Sequence, residues 1–273
     1  MKIINAFLSL FLLFSSQTPL TAQTKSKTSS SQKASKVIES GKFRVYELNE
    51  VQGEESYEIE RGPRGLTVKA RIDLPFQGEE QKPSLRATLQ LTDDLTPSSF
   101  QIQGIRPLEI AIDTSVTVQG KTATVREGKT VRRAPLPESF FTFGGYVPVT
   151  MEMMLVRYWL THQRKDSIKL LPGGEAFIEA RGKDIVTIAG KSATLDRYHL
   201  SGSKWGGGWG RQTLWFDSEN RLVAAVNLAT NVETNYSAIR DGYESALSFF
   251  LKRTIEDGLD RLTQIANRLS PKA

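Results

Sequence analysis

The sequence predicts an α+β protein that is mainly β: a large curved antiparallel sheet, or a partly open barrel, with two amphipathic helices, the longer one C-terminal. Apolar and polar residues alternate with period two through most of 42–135 and 167–235. Short turn sequences rich in Gly, Pro and Asp separate these stretches. The helical period replaces the alternation at 149–164 and 239–269. Because consecutive antiparallel strands usually pair, about twelve strands would form one sheet that buries one face against both helices.

The N-terminus is typical of an export signal. Lys2 is followed by an apolar run from Ile3 to Phe14 and then by small and polar residues up to Ala22. This order predicts a signal peptide over 1–22, the alternative being a buried N-terminal helix. The run is shorter than the roughly 20 residues that a membrane span needs. Because the chain has no cysteine, we expect a bacterial periplasmic or secreted protein that is stable without disulfides.

The segment 23–36 is rich in lysine and serine and predicts a disordered tether, because it has too few apolar side chains to offset the entropy of ordering. The net charge of +6 comes mainly from Lys2 and the four tether lysines, without which it is +1. A basic surface for nucleic acid is therefore not expected. The tether would be a solvated spacer or would touch anionic lipid or cell-wall polymer. The remainder, 37–273, is predicted to be a single β-rich domain.

Two strands carry the clearest alternation. In "LTVKARIDL" and "LRATLQL", every second residue from Leu66 and from Leu85 is apolar. This pattern predicts half-buried antiparallel strands with those residues facing the core.

The first helix is predicted from an apolar stripe, with Thr150 as its N-cap and Gly144–Gly145 as its entry turn. The stripe consists of Met151, Met154, Leu155, Tyr158, Trp159 and His162. The C-terminal helix contains Gly242 and Gly258, each of which weakens it by about 1 kcal/mol relative to alanine. Docking onto the rest of the protein must therefore hold the C-terminal helix in place.

No catalytic residue, metal site or cofactor is predicted. The chain has only two histidines; His162 lies on the core stripe and His199 in a strand, so both are interpreted as structural. Asp196 and His199 could form a small polar pair. This pair is not read as catalytic, because no residue is recognised as a nucleophile beside it. A pair of glycosidase-type carboxylates leaves no motif, so this possibility stays open.

The stretch "KWGGGWGRQTLWF" raises the question of a binding loop. Its glycines do not match a dinucleotide or phosphate motif, and "RQTLWF" alternates like a strand instead of opening a helix. Trp215 is predicted to pack in the sheet. Trp205 and Trp209 would either fold back from a hairpin loop onto the sheet or form a mobile rim that touches a ligand.

The chain also resembles a known group of exported domains. The segments "FFTFGGYVPVTMEMMLVRYWLTH", "LWFDSENRLVAAV" and "GYESALSFFLKRTIEDGLDRL" are similar to uncharacterised β-rich domains of the DUF3108-like kind. In particular, they resemble the N-terminal accessory domain of bacterial secreted imidazolonepropionase-like amidohydrolases. The catalytic barrel of those enzymes, with its metal ligands, has no counterpart in this sequence, so the resemblance carries over no site residue.

Three functions remain. The first is a non-catalytic exported binding or accessory module that holds an apolar or amphipathic small molecule or lipid. Its candidate contacts are Tyr146, Trp159, Trp205, Trp209 and Arg211. The second, implied by the resemblance, is an interaction or stabilising domain for a separate secreted amidohydrolase. The third is a hydrolase with an unrecognised carboxylate site.

Overall fold

The computed structural model describes residues 35–47, 49–74, 82–106, 110–143, 146–203, 211–228 and 235–269. Their strands form a single 15-stranded sheet in the order β8 to β1 followed by β15 to β9. All neighbouring pairs are antiparallel except β9 with β10. The predicted mainly-β class with one large curved sheet and two helices is confirmed. The elements are β1 (Lys36–Glu47), β2 (Glu50–Gly62), β3 (Gly65–Asp73), β4 (Ser84–Leu91), β5 (Pro97–Arg106), β6 (Ile110–Gln119), β7 (Thr122–Glu127), β8 (Thr130–Pro135), β9 (Phe140–Thr142), α1 (Val149–Thr161), β10 (Ile168–Leu171), β11 (Glu175–Ile188), β12 (Lys191–Ser203), β13 (Arg211–Phe216), β14 (Leu222–Leu228), β15 (Asn235–Arg240), a 3₁₀ turn (Glu244–Ala246) and α2 (Leu247–Leu269).

The strand order requires the sheet to roll up. β8 and β9 lie at opposite edges of the sheet, yet only residues 136–139 connect them. A connection of that length spans at most about 18 Å, whereas the edges of a flat sheet of this size would lie roughly 65 Å apart. Consistent with this, the Arg132 side chain on β8 donates a hydrogen bond to the carbonyl of Pro172, which follows β10. The sheet is therefore rolled into a partly open barrel, and this connection brings its two edges near each other.

The alternating strands place their apolar residues inside the barrel as predicted. Val68 on β3 pairs with Leu89 on β4, and both side chains are fully buried. Glycine permits close strand approach at Gly104, whose φ is +137° and where an added Cβ would lie 2.0 Å from the carbonyl oxygen of Ser84. The sequence pattern thus sets which residues face inward, and Gly104 allows β5 to approach β4 closely.

α1 lies within the barrel and is buried along most of its length. It begins at Val149, as the stripe predicts, but ends at Thr161 instead of 164. The reason is that Gln163 and Arg164 have φ values of 59° and 52°, which a right-handed helix does not accommodate. The prediction of Thr150 as N-cap is also wrong, because Thr150 lies inside the helix and Pro148 holds the cap position.

Strands β13 to β15 are buried on both faces. Leu214 and Phe216 face the interior, whereas Trp215 between them faces the opposite side and packs on Phe250 of α2, with ring centroids 4.8 Å apart. α1 and α2 therefore lie on opposite faces of the sheet, and the expectation that both helices cover one face is wrong. The nearly continuous apolar sequence of β14 has the composition of a strand covered on both sides.

The boundaries at both ends of the domain differ from the prediction. Ile239 lies in β15, paired with Ala224, and α2 begins only at Leu247. Gly242 has a φ of +89° and forms the turn between β15 and the 3₁₀ segment, so it does not weaken the helix. At the other end, β1 begins at Lys36, a residue assigned to the tether, and precedes the predicted first strand at 42. No helix in the described part of the chain is both long and apolar enough to span a membrane.

Candidate functional site: a polar cluster inside the barrel

Glu55 provides the N-terminal cap of α1 from across the barrel. It lies on β2 and faces inward with Tyr57. Its two carboxyl oxygens accept hydrogen bonds from the backbone N–H groups of Val149 (2.7 Å) and Thr150 (2.9 Å), and the Thr150 hydroxyl donates a third. Pro148 has no capping side chain, so this carboxyl from the sheet satisfies the free N–H groups of the helix end.

The environment of Glu55 brings its titration close to neutrality. The side chain is fully buried, and burial raises its pKa to about 7 against the opposing effect of the three hydrogen bonds from Thr150 and Val149. A carboxyl group with this pKa exchanges its proton in the physiological range.

Glu152 is a second buried carboxyl group, one turn into α1. Its side chain is 1 % exposed. Burial and then the charge of Glu55 raise its pKa well above the ordinary value, whereas hydrogen bonds with Gln212 and Tyr236 act in the opposite direction. Its Oε2 has no hydrogen-bond partner. Burial thus disfavours the ionised form of Glu152 and leaves one of its oxygens without a hydrogen-bond partner.

A cross-strand row of polar residues lies beside Glu152. Gln212 on β13 pairs with Asn227 on β14, which pairs with Tyr236 on β15. The Gln212 amide Nε2 donates to the Tyr236 hydroxyl at 3.4 Å, whereas the Gln212 Oε1 and Asn227 Oδ1 atoms are buried without a partner. Burial, then the charge of Glu152, raises the pKa of Tyr236 well above its usual value. We call Glu55, Glu152, Gln212, Asn227 and Tyr236 the interior polar cluster.

The interior polar cluster is rich in acceptor oxygens that lack donors. Three buried oxygens, one each from Glu152, Gln212 and Asn227, have no partner. Most buried polar atoms in proteins are hydrogen-bonded, so three such oxygens on neighbouring elements make this cluster a candidate site for a donor, whether a ligand group or a bound water. Within the described ranges, no group of three or more His, Cys, Asp or Glu residues could hold a metal ion.

The structure separates those predicted contact residues that it describes. Tyr146 lies next to the interior polar cluster, its ring 6.4 Å from that of Tyr236. Trp159 is 5 % exposed and packs in the core, where its indole N–H donates to the carbonyl of Lys165 at 2.9 Å. Trp205 and Trp209 lie outside the described residues.

Arg211 belongs to a different group on the outer face of the sheet, which we call the outer charged cluster. The cluster consists of Asp184, Arg197, His199, Arg211 and Asp257. Arg211 donates to His199 Nδ1 at 2.8 Å, and His199 Nε2 lies 2.9 Å from Asp257 of α2. Arg197 lies 3.3 Å from the same carboxylate. These contacts tie α2 to β12 and β13.

His199 is neutral in this arrangement. Because Arg211 donates to Nδ1, the ring proton resides on Nε2 and is donated to Asp257. Burial lowers the pKa of His199 to about 4, and the nearby arginine charge adds to this effect. The expected pairing of His199 with Asp196 is wrong, because Asp196 instead forms an ion pair with Lys183 at 3.0 Å. The interpretation of His199 as a structural residue agrees with these contacts.

The glutamates of the interior polar cluster were missed by sequence reasoning, although each leaves a signal. Glu152 is the only charged residue in "VPVTMEMMLV", and a charge within such an apolar run must be buried when the run is a core helix. Glu55 shares the period-two face of Tyr57 and Ile59. The partners Gln212, Asn227 and Tyr236 leave no such signal, because only strand register brings them together.

A surface groove of about 530 Å³ lies across β1 to β4. Its exposed lining side chains include Lys42, Lys69, Arg71 and Arg86. Three of these bases pair with acids beside the groove: Lys42 with Glu54, Lys69 with Glu60, and Arg71 with Asp73. Most of the basic side chains that line the groove are therefore paired with acids.

Comparison with known proteins supports the fold at a coarse level. No family model matches the chain, and no curated protein matches it. Among solved structures, it is similar to a β-barrel-like protein of the domain of unknown function DUF1849 from Brucella abortus, with a TM-score of 0.50 and 9 % identity over 74 % of this chain and 94 % of that one. At this identity the likeness concerns the fold alone. It supports an uncharacterised β-rich domain, and it provides no support for the DUF3108-like resemblance or the amidohydrolase association.

Proposed function

We propose that the protein is a non-catalytic binding module that holds a small amphipathic molecule, with a hydrogen-bond-donating head group in the interior polar cluster. The observation that carries this proposal is the set of unpartnered buried oxygens of Glu152, Gln212 and Asn227. Burying polar atoms without partners is costly, so a site built this way favours a ligand that supplies the missing donors.

The chemistry of the cluster favours an amine over an acid. A protonated amine provides three donors, and its charge would be balanced by ionised Glu152. A carboxylate would instead add acceptors beside Glu55 and Glu152, and like charges at close range are unfavourable. The apolar part of the ligand would lie against the surrounding core, as is common in ligand sites at the mouths of barrels.

Three probes of equal chain length test this proposal: octylamine, octanol and octanoic acid. We expect titration calorimetry to detect binding of octylamine, with an affinity that rises with pH because Glu152 must lose its proton. Octanoic acid should not bind measurably. Glu152→Gln removes the countercharge and should weaken octylamine binding by about tenfold or more.

The matched control for this experiment is Glu58→Gln, an exposed acid on the same strand as Glu55; it should leave octylamine binding unchanged. Equal binding of the amine and the acid, or full octylamine affinity in Glu152→Gln, would exclude the proposed head-group site.

A second candidate function is hydrolysis by a carboxylate pair. The observation that favours it is the proximity of two buried carboxyl groups with raised pKa values, Glu55 and Glu152; such groups serve as general acids. A screen with glycoside and ester substrates tests it. Turnover that survives both Glu55→Gln and Glu152→Gln would exclude this pair as its source.

Export and a partner enzyme complete the proposal. The signal-like residues 1–22 support a periplasmic or secreted location, which cell fractionation would test. The amidohydrolase partner rests on sequence resemblance alone, and failure of any secreted hydrolase to co-purify with the chain would count against it.

A further inference from the structure

The C-terminal half of α2 exposes an apolar stripe. The first half of the helix is held by buried residues, the last of which is Asp257. From Gly258 to Leu269 every residue is exposed, so the described part of the protein does not cover this half of the helix. The stripe consists of Ile255, Leu259, Leu262, Ile265 and Leu269, which are 52, 58, 63, 40 and 79 % exposed.

The order of the stripe is symmetric. At 100° per residue, its members lie within a face of about 120°. Their spacings along the chain are four, three, three and four, so the stripe has the same pattern from either end and Leu262 lies at its centre. A second copy of the helix, laid antiparallel across the first, would place Ile255 level with Leu269 and Leu262 level with its own copy.

Small residues occupy the positions where two such helices would come closest. Gly258 and Ala266 are equally far from Leu262, so each would lie level with the other in the antiparallel pair. A Cβ added to Gly258 would meet no atom within 4 Å, which shows that this side of the helix is open. At Gly258, close approach of the two backbones is thus sterically permitted.

The area of the stripe suits a second copy. Five large side chains at these exposures present roughly 500 Å² of apolar surface per copy, as large as the largest apolar patch of a typical monomer. Two copies would then bury up to about 1,000 Å², which reaches the lower limit for a specific interface. We propose that the stripe is a twofold self-association surface through which two copies of the chain form an antiparallel helix pair centred on Leu262. This proposal is independent of the proposed ligand.

Sedimentation velocity of the purified chain across the micromolar range tests the proposal. We expect a monomer–dimer equilibrium for the unaltered chain. Leu262→Arg brings two like charges together on the twofold axis and should raise the dimer dissociation constant by at least about 100-fold. Gln264→Arg, on the far side of the same helix, is the matched control and should leave the equilibrium unchanged. Circular dichroism verifies that both variants are folded.

The absence of cysteine makes single-cysteine cross-linking a test of orientation. Leu262→Cys should form a disulfide-linked dimer, and Gln264→Cys should not. Ile255→Cys should cross-link with Leu269→Cys in a mixture but not with itself. A chain that is monomeric at every concentration, whether it stays free or binds anionic lipid vesicles, would overturn the proposal. So would a dimer that tolerates Leu262→Arg.

Discussion

Replacing Glu55 with glutamine should remove a loss of stability that the unaltered protein undergoes as pH rises through neutrality. Glu55 has a folded pKa of about 7, against an ordinary value of 4.5. The folded state therefore retains a proton that the unfolded state releases, so the free energy of unfolding falls as pH rises from the unfolded pKa towards the folded one. A difference of this size corresponds to about 3 kcal/mol lost across that interval.

The glutamine side chain cannot ionise, so it removes the pH dependence that Glu55 contributes. Its amide has one acceptor oxygen where the carboxyl has two, so one helix N–H group that Glu55 caps loses its acceptor at every pH. Urea unfolding at pH 5 and pH 8, followed by the fluorescence of buried Trp159 and Trp215, measures the effect. We expect the free energy of unfolding of Glu55→Gln, relative to that of the unaltered chain, to rise by about 2.5 kcal/mol between pH 5 and pH 8.

Glu58→Gln, exposed on the same strand, should show no such pH-dependent difference. If Glu55→Gln has the same effect at both pH values, the carboxyl is not held protonated near neutrality, and the reasoning from burial fails.

Three further predictions concern the packing of the sheet. Asp257→Ala leaves buried Arg197 and His199 without their shared carboxylate. The change should lower the free energy of unfolding by about 3–5 kcal/mol and make α2 susceptible to limited proteolysis. The control Asp260→Ala, on the exposed side of the helix, should have neither effect. Phe250→Ala removes the fully buried ring that packs on Trp215 and should cost about 3–5 kcal/mol in urea unfolding; a cost below 1 kcal/mol would show that α2 is not docked there. Gly104→Ala places a Cβ 2.0 Å from the Ser84 carbonyl oxygen at a φ of +137° and should lower the melting temperature. Gly120→Ala has no atom within 4 Å of the added Cβ. It should therefore lower the melting temperature less, through backbone strain alone.

The partners of the buried glutamates show where sequence reasoning stops. Glu55 and the helix N–H groups that it caps are 94 and 95 positions apart along the chain, and no local pattern specifies such a contact. The same holds for His199, to which the sequence offers Asp196 as a local polar neighbour, whereas the actual partner is Asp257, 58 positions away. Local periodicity reports which face of an element is apolar, but it does not report which element covers that face.

Period-two and helical periodicity alone determined the mainly-β class, the inward residues of strands such as β3 and β4, and the start of α1, because alternation and the apolar stripe are properties of neighbouring residues. Only the tertiary structure decided how far the sheet rolls up, that α1 and α2 lie on opposite faces, and that Glu152 lies beside Gln212 and Tyr236. These features depend on strand order and register, which bring distant residues together. For the second half of α2, the spacing of the apolar residues is visible in the sequence. Only the structure shows that the described part of the protein leaves these residues exposed.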